Sequence, residues 1–259
     1  DIGRPYTGGS FSVAPESLKT KVRHSTASPG DVAVTDARGK GVRTLTTLNA
    51  DLLGHKTLGK VARLTWQSSA DQREIEGWLV TPPQFDASRQ YPLILEIHGG
   101  PFTAYGPNFS VEIQRYAAAG YMVLYANPRG STSYGEDFAN LIHHAYPGND
   151  YDDLMSGVDA VLARGNVDPQ QLFVTGGSGG GVLTAWIVGK TDRFRAAVVA
   201  KPVINWTSFV LTADMYNFFY RYWFSAPPWE AQDEYWRRSP LSLVGNVKTP
   251  TMLLTGEAD

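Results

Sequence analysis

Thr175-Gly176-Gly177-Ser178-Gly179-Gly180-Gly181 contains the pattern G-x-S-x-G, with Gly176 and Gly180 flanking Ser178. A serine so placed is a candidate nucleophile. A sharp strand-to-helix turn lifts its hydroxyl above the sheet edge. The residues two before and two after then run too close to neighbouring backbone to carry a Cβ. Gly179 would open the helix, where its N–H can face a developing oxyanion. A phosphate-binding loop is the rival reading, and it fails on spacing. A G-x-G-x-x-G fingerprint anchored at Gly177 and Gly179 meets Val182 instead of glycine, and one anchored at Gly179 and Gly181 meets Thr184. No Gly-Lys-Ser/Thr follows, which removes a P-loop. The plain alternative is a tight turn with no chemistry.

Two further segments could complete acyl-transfer chemistry. His98-Gly99-Gly100-Pro101 lacks bulky side chains where a carbonyl oxygen would need backbone donors. Pro101 has no N–H, so the second oxyanion donor falls to a glycine, and Gly100 is favoured. Near the end, Leu254-Thr255-Gly256-Glu257-Ala258-Asp259 puts carboxylates just past an apolar run. A triad acid follows the serine in this chain order, which points to Asp259, with Glu257 as competitor and a solvated carboxylate as the plain reading. The base is harder to place. His24, His55, His98, His143 and His144 all precede Ser178, whereas the base of such a triad follows the acid.

These groups need a strand-and-helix frame. Leu93–Ile97 is a nearly continuous apolar run, as in a strand covered on both faces. Val111–Ala119 reads as a helix ended by Gly120, Tyr121–Ala126 as a strand, and Tyr134–Ala145 and Asp152–Arg164 as helices. Leu172–Thr175, Ala196–Ala200 and Thr251–Thr255 read as strands, with Val182–Gly189 on a helix. This alternation predicts an α/β fold with a doubly wound, mostly parallel sheet. Val61–Trp66 and Glu74–Val80 read as strands before it, the second stopped by Pro82-Pro83. Upstream, Phe11–Ala14, Val32–Thr35 after a Ser28-Pro29-Gly30 turn, and Val42–Leu48 suggest a short antiparallel meander, followed by a connector at Asn49–Gly54.

Composition narrows the chemistry. The chain has 259 residues, 23 Lys+Arg against 25 Asp+Glu, and no cysteine. That length buries roughly 70–75% of the unfolded surface, enough for a core without staples. Zero cysteine removes disulfides, thiolate metal sites and a thiol nucleophile. A net charge of −2 gives no footprint for nucleic acid or an anionic membrane. No run approaches the ~18 apolar residues of a membrane span. His143-His144 lacks the partners of a zinc motif, and Asp150–Asp153 lacks the glycine and distal glutamate of a calcium loop, so neither a metal nor a cofactor is expected. Composition does not fix a compartment.

Taken together, EIHGGPFTAYGPNF (96–109), NPRGSTSYGEDF (127–138), NDYDDLMSGVDAV (149–161), VTGGSGGGVLTAW (174–186), KPVINWTSF (201–209) and TPTMLLTGEAD (249–259) resemble the catalytic region of the prolyl oligopeptidase family, nearest its acylaminoacyl- and dipeptidyl-peptidase branch. The resemblance implies an α/β-hydrolase domain at 56–259. It further implies that residues 1–55 are the end of a β-propeller and its crossover. It implies Ser178 as nucleophile, Gly179 and the His98-Gly99-Gly100 turn as oxyanion hole, Asp259 as acid, and Trp206 and Phe209 as lining for the residue before the scissile bond. Short peptides would be the substrates, no cofactor would be needed, an upstream propeller would be the partner domain, and a homo-oligomer is compatible. A carboxylesterase on the same fold and a non-catalytic binding or scaffold homologue are the alternatives.

Family members ordinarily continue past the acid with one more strand, a histidine loop and a closing helix. The 259 residues are therefore expected to hold little peptidase activity by themselves, since loss of a triad member costs about three orders of magnitude or more. Turnover of a peptide anilide by this chain at ordinary enzyme rates would overturn that expectation and make an upstream histidine the base.

Overall fold

The computed structural model describes residues 11–13 and 19–257. Strands β1 (Phe11–Val13), β2 (Lys19–Ser25), β3 (Ser28–Thr35) and β4 (Arg43–Thr44) form an antiparallel sheet in sequence order. The meander is therefore present, with one strand more than expected, β2, and with different boundaries. Ser28-Pro29-Gly30 lies inside β3, and the turn is at Thr26-Ala27. The register shifts between Arg23 and Ser25, opposite Pro29 and Gly30, so the proline sits at a bulge where its missing N–H costs no ladder bond. Val42–Leu48 pairs only at Arg43 and Thr44. Beyond them, Asp31 accepts from the Thr46 hydroxyl and the Leu48 N–H, and the Thr46 hydroxyl oxygen accepts from Val32 N–H; these side-chain bonds replace the strand ladder. The expected connector contains one helical turn, α1 (Ala50–Leu53).

The main sheet begins with β5 (Lys60–Gln67) and β6 (Glu74–Thr81), an antiparallel hairpin. It continues with β7 (Tyr91–Ile97), helix α2 (Val111–Ala118), β8 (Met122–Asn127), the short helix α3 (Glu136–Ala139) and helix α4 (Asp150–Leu162). Then come β9 (Val167–Gly177), α5 (Gly179–Lys190), β10 (Ala196–Ala200), three helices α6 (Trp206–Thr212), α7 (Tyr216–Tyr222) and α8 (Gln232–Arg238), and β11 (Thr251–Leu254). The strand order is β11-β10-β9-β7-β8-β6-β5, parallel from β11 to β8 and antiparallel at β6 and β5.

Topology explains the layers. The step from β7 to β8 runs one way along the sheet, and the steps from β8 to β9 and β9 to β10 run the other way. Right-handed crossovers then put α2 on one face and α4 and α5 on the other. The two cores match this. Leu93, Leu95 and Ile97 pack with Leu154 and Val158 of α4 and with Val182 and Ile187 of α5. Ile94 and Val123 pack with Ile113 and Ala117 of α2. Order reverses at the β7/β9 pair, so the loops leaving those two strands meet above a topological switch point, where open α/β sheets bind ligands.

Local chemistry sets the helix ends. Ser110 caps α2 by accepting from Ile113 N–H, and Gly120, at φ +97°, terminates the turn that follows. Asp150, Asp152 and Asp153 occupy the first turn of α4, where the dipole favours negative charge. The expected helix at Tyr134–Ala145 shrinks to α3 and a 3-10 turn at Asn140–Ile142. Positive φ at Ser133, Gly135 and His144 breaks both ends, and the Tyr134 hydroxyl is taken by Glu76 and Asn127 across the sheet.

One buried acid stands apart from these networks. Glu96 on β7 is 8% exposed, and its Oε2 has no partner. The Tyr105 hydroxyl is 3.5 Å from Oε1, and Glu112, Tyr116 and Tyr125 lie around it. Burial, with Glu112 adding repulsion, pushes its carboxyl up to about 8. Between an ordinary carboxylate value and about 8, the unfolded chain releases this proton while the folded chain keeps it. Glu96 therefore contributes stability at acidic pH that is lost as pH rises through about 8. Glu96→Gln is expected to flatten the pH dependence of the urea midpoint between pH 5 and 8.5 and to raise the midpoint at the alkaline end; equal slopes in the two proteins would refute the assignment.

Candidate active site

Ser178 is exposed between half-buried Gly177 and buried Gly179, at φ 57° and ψ −118°. A non-glycine residue at this positive φ, with ψ far from the left-handed helical well, is strained by about 1–3 kcal/mol. Its backbone is held on both sides: Ser178 N–H donates to Ala200 O at 3.0 Å, and Ser178 O accepts from Val182 N–H at 3.0 Å. The surrounding glycines are there for contact rather than for turning. A Cβ on Gly176 would meet Ile97 O and Gly180 O at 2.7 Å, and one on Gly180 would meet Ile97 O at 2.1 Å. On Gly181 it would meet Ala200 O at 2.4 Å. The start of α5 thus rests directly on the ends of β7 and β10, and the serine is the first residue free to point away.

The His98–Pro101 turn lies against this elbow. A Cβ on Gly179 would be 2.6 Å from Gly100 O, and one on Gly99 would be 3.9 Å from Ser178 Oγ. The peptide between Gly99 and Gly100 is fixed by its carbonyl. Thr103 Oγ1 donates to Gly99 O at 2.6 Å, and His98 Nδ1 lies 2.6 Å from the same oxygen. In a trans peptide the Gly100 N–H points opposite to that carbonyl. With Gly100 at φ +119°, the turn holds one backbone donor in a set direction beside the start of α5. Gly179 is the first residue of α5, so its own N–H has no intrahelical acceptor.

His98 is occupied in this arrangement. Its Nε2 is 2.9 Å from Ser131 Oγ, and the Ser131 hydroxyl donates to Pro128 O at 2.7 Å. Burial pushes the His98 ring below the usual histidine value, against the opposing effect of the Gly99 carbonyl. The 128–131 loop is anchored by a buried ion cluster. Arg129 N–H and Nε donate to Asp153 Oδ2 at 2.8 and 2.9 Å, and its Nη2 reaches Asp153 Oδ1 at 2.8 Å and Asp71 Oδ1 at 3.1 Å. Asp153 is fully buried, so this bidentate pair ties the loop to α4 and to the β5–β6 hairpin. Of the other histidines, His143 stacks on His144 at 3.9 Å beside α7, and His24 and His55 are exposed.

Trp206 and Phe209 both sit on α6, but differently. Trp206 is 1% exposed, its indole N–H donates to Arg238 O at 3.0 Å, and its ring is enclosed by Tyr146, Trp223 and Phe224. It is a core residue rather than a ligand contact, because the indole has no surface left to offer. Phe209 is half-buried, 5.7 Å from the Trp206 ring, and keeps an open side. Asp259 lies outside the described residues. Thr103, Ser131, Arg129 and Tyr146 carry no sequence signal of their own. Arg129 and Ser131 stand within the NPRGSTSYGEDF segment, but only the structure shows them reaching Asp153 and His98.

A family profile described as prolyl oligopeptidase family matches residues 107–259, and one described as acetyl xylan esterase matches residues 47–150. An uncharacterised peptidase of Bacillus subtilis is 41% identical over 222 residues, covering 85% of this chain and 34% of its own length. The acylamino-acid-releasing enzyme of Arabidopsis thaliana is 36% identical over 65% of this chain and 23% of its own. Pyrococcus horikoshii acylaminoacyl peptidase superposes with a TM-score of 0.86 at 26% identity, over 96% of this chain and 40% of that one. This chain spans about a third or less of the curated relatives named here. The α/β-hydrolase architecture, the nucleophile-elbow turn and the extent of the profile agree: the chain belongs to the prolyl oligopeptidase family.

Proposed function

We propose that this chain forms the catalytic region of a serine peptidase acting on short peptides, of acylaminoacyl- or dipeptidyl-peptidase type. The observation that carries the reading is the exposed, strained Ser178, flanked by Gly176 and Gly180, which admit no side chain, and facing a glycine turn of fixed direction. In the proposed reaction, Ser178 Oγ attacks the scissile carbonyl and passes its proton to a base. The carbonyl oxygen becomes an oxyanion and accepts from Gly179 N–H and Gly100 N–H. Collapse of the tetrahedral intermediate breaks the amide C–N bond, the protonated base gives its proton to the leaving amine, and water later releases the acyl group. Asp259 is the proposed orienter of that base. The base is assigned to none of the five histidines: His98 holds the oxyanion turn, and the others stand in the β-sheet, the connector and the stacked pair.

The antiparallel β1–β4 sheet supports a companion proposal, that residues 1–55 are the end of a β-propeller and its crossover. Phe209 is the proposed apolar contact for the residue before the scissile bond. The second reading, a carboxylesterase, draws on the acetyl xylan esterase match at 47–150, since the elbow chemistry serves esters and amides alike. In the full-length protein carrying this chain, a fluorophosphonate probe should label Ser178, and Ser178→Ala should abolish the adduct and lower peptide turnover by about 10⁴-fold or more. An undiminished adduct in Ser178→Ala would sink the nucleophile assignment. Hydrolysis of p-nitrophenyl acetate without hydrolysis of acylaminoacyl or dipeptidyl anilides would select the esterase reading.

A further inference from the structure

Ser178 is followed by three glycines, the least stiff start a helix can have. A strained serine at their head tends to relax through them unless something outside the helix holds them. One buried side chain does. Tyr146 is 1% exposed, and its hydroxyl donates to Gly179 O at 3.0 Å, across 33 positions of sequence. Burial, with Asp150 nearby, pushes the phenol well above its usual value, so the donor proton stays in place.

Tyr146 is itself gripped from behind. Its carbonyl accepts from Arg238 Nε at 2.9 Å and from Arg238 Nη2. Arg238 Nη1 donates to Glu234 Oε1 at 2.7 Å, and the guanidinium lies 4.4 Å from the Phe224 ring centre. The Arg238 carbonyl accepts from the Trp206 indole. A continuous set of buried polar bonds therefore runs from the elbow, through Tyr146, to the α6–α8 segment that carries Phe209.

We infer that Tyr146 is a positioning residue for the candidate nucleophile: its hydroxyl holds the glycine start of α5 against the strain at Ser178, and Arg238 on its carbonyl ties the elbow to the α6–α8 helical segment. The inference rests on the reading of Ser178 as nucleophile. Tyr146 touches no reacting atom, so its effect is on rate and not on substrate affinity.

The test uses the full-length protein carrying this chain. Tyr146→Phe removes only the hydroxyl. Tyr235→Phe is the matched control, because it removes a second buried phenol, on α8, bonded to Ala226 O and away from the elbow. Tyr146→Phe should slow fluorophosphonate labelling of Ser178 and kcat together by about tenfold, with KM within about twofold. Tyr235→Phe should lower thermal stability and leave both rates near wild type. Labelling of Tyr146→Phe at the wild-type rate, or a slowing no greater than that of Tyr235→Phe, overturns the inference while leaving the nucleophile reading intact. Wild-type protein that labels elsewhere than Ser178 overturns the nucleophile reading and the inference with it. If Tyr146→Phe does not fold, Arg238→Gln carries the same comparison, since it loosens the Tyr146 carbonyl and keeps the hydroxyl.

Discussion

The carbonyl of Ile97 leaves no room for a side chain on Gly180. That one close approach, repeated by Gly176 at the same carbonyl and by Gly181 at Ala200 O, lets a helix start directly on the ends of two parallel strands. Much of the candidate site follows from it. With α5 seated so low, the chain must turn sharply between β9 and α5. The residue at the turn takes a positive φ, and its side chain has nowhere to go but upward. The same seating brings Gly179 against Gly100, so the two proposed backbone donors come from loops that the sheet order already places side by side.

A low-lying elbow needs stiff surroundings, and the fold supplies them with buried polar bonds. On one side, the Arg129–Asp153 pair anchors the loop whose Ser131 contacts His98, which in turn sits at the Gly99 carbonyl. On the other, Tyr146 and Arg238 bridge α5 to the aromatic helices. Neither set is needed to bury apolar surface, and removing one partner from either would leave a buried group unsatisfied. Their cost is accepted where direction matters more than packing.

Much of the sheet could be read in the sequence, because β7, β8, β10, β11 and the Leu172–Thr175 part of β9 are mostly apolar runs separated by turn or helix signals; the polar Asp168–Gln171 start of β9 carries no such signal. The elbow was readable as well, since its glycines answer a local steric demand that acts within five residues. What could not be read depends on partners far along the chain. Tyr146 falls just past the expected helix end and has no local signal until Gly179 is placed beside it. Trp206 and Phe209 are alike as aromatic residues three apart on one helix, and only burial separates the core residue from the half-open one. The Ser28-Pro29-Gly30 triplet has turn chemistry, yet the β2 register converts it into a bulge. Short-range rules fail at such places because the deciding contact is tertiary.

The backbone strain at Ser178 also bears on how this position changes over time. Glycine takes φ 57° at little steric cost, so Ser178→Gly would relieve the strain and make the chain more stable while deleting the hydroxyl. Mutational drift without selection for the hydroxyl would therefore run downhill toward glycine. Under the proposed function, the hydroxyl is held at the expense of that stability.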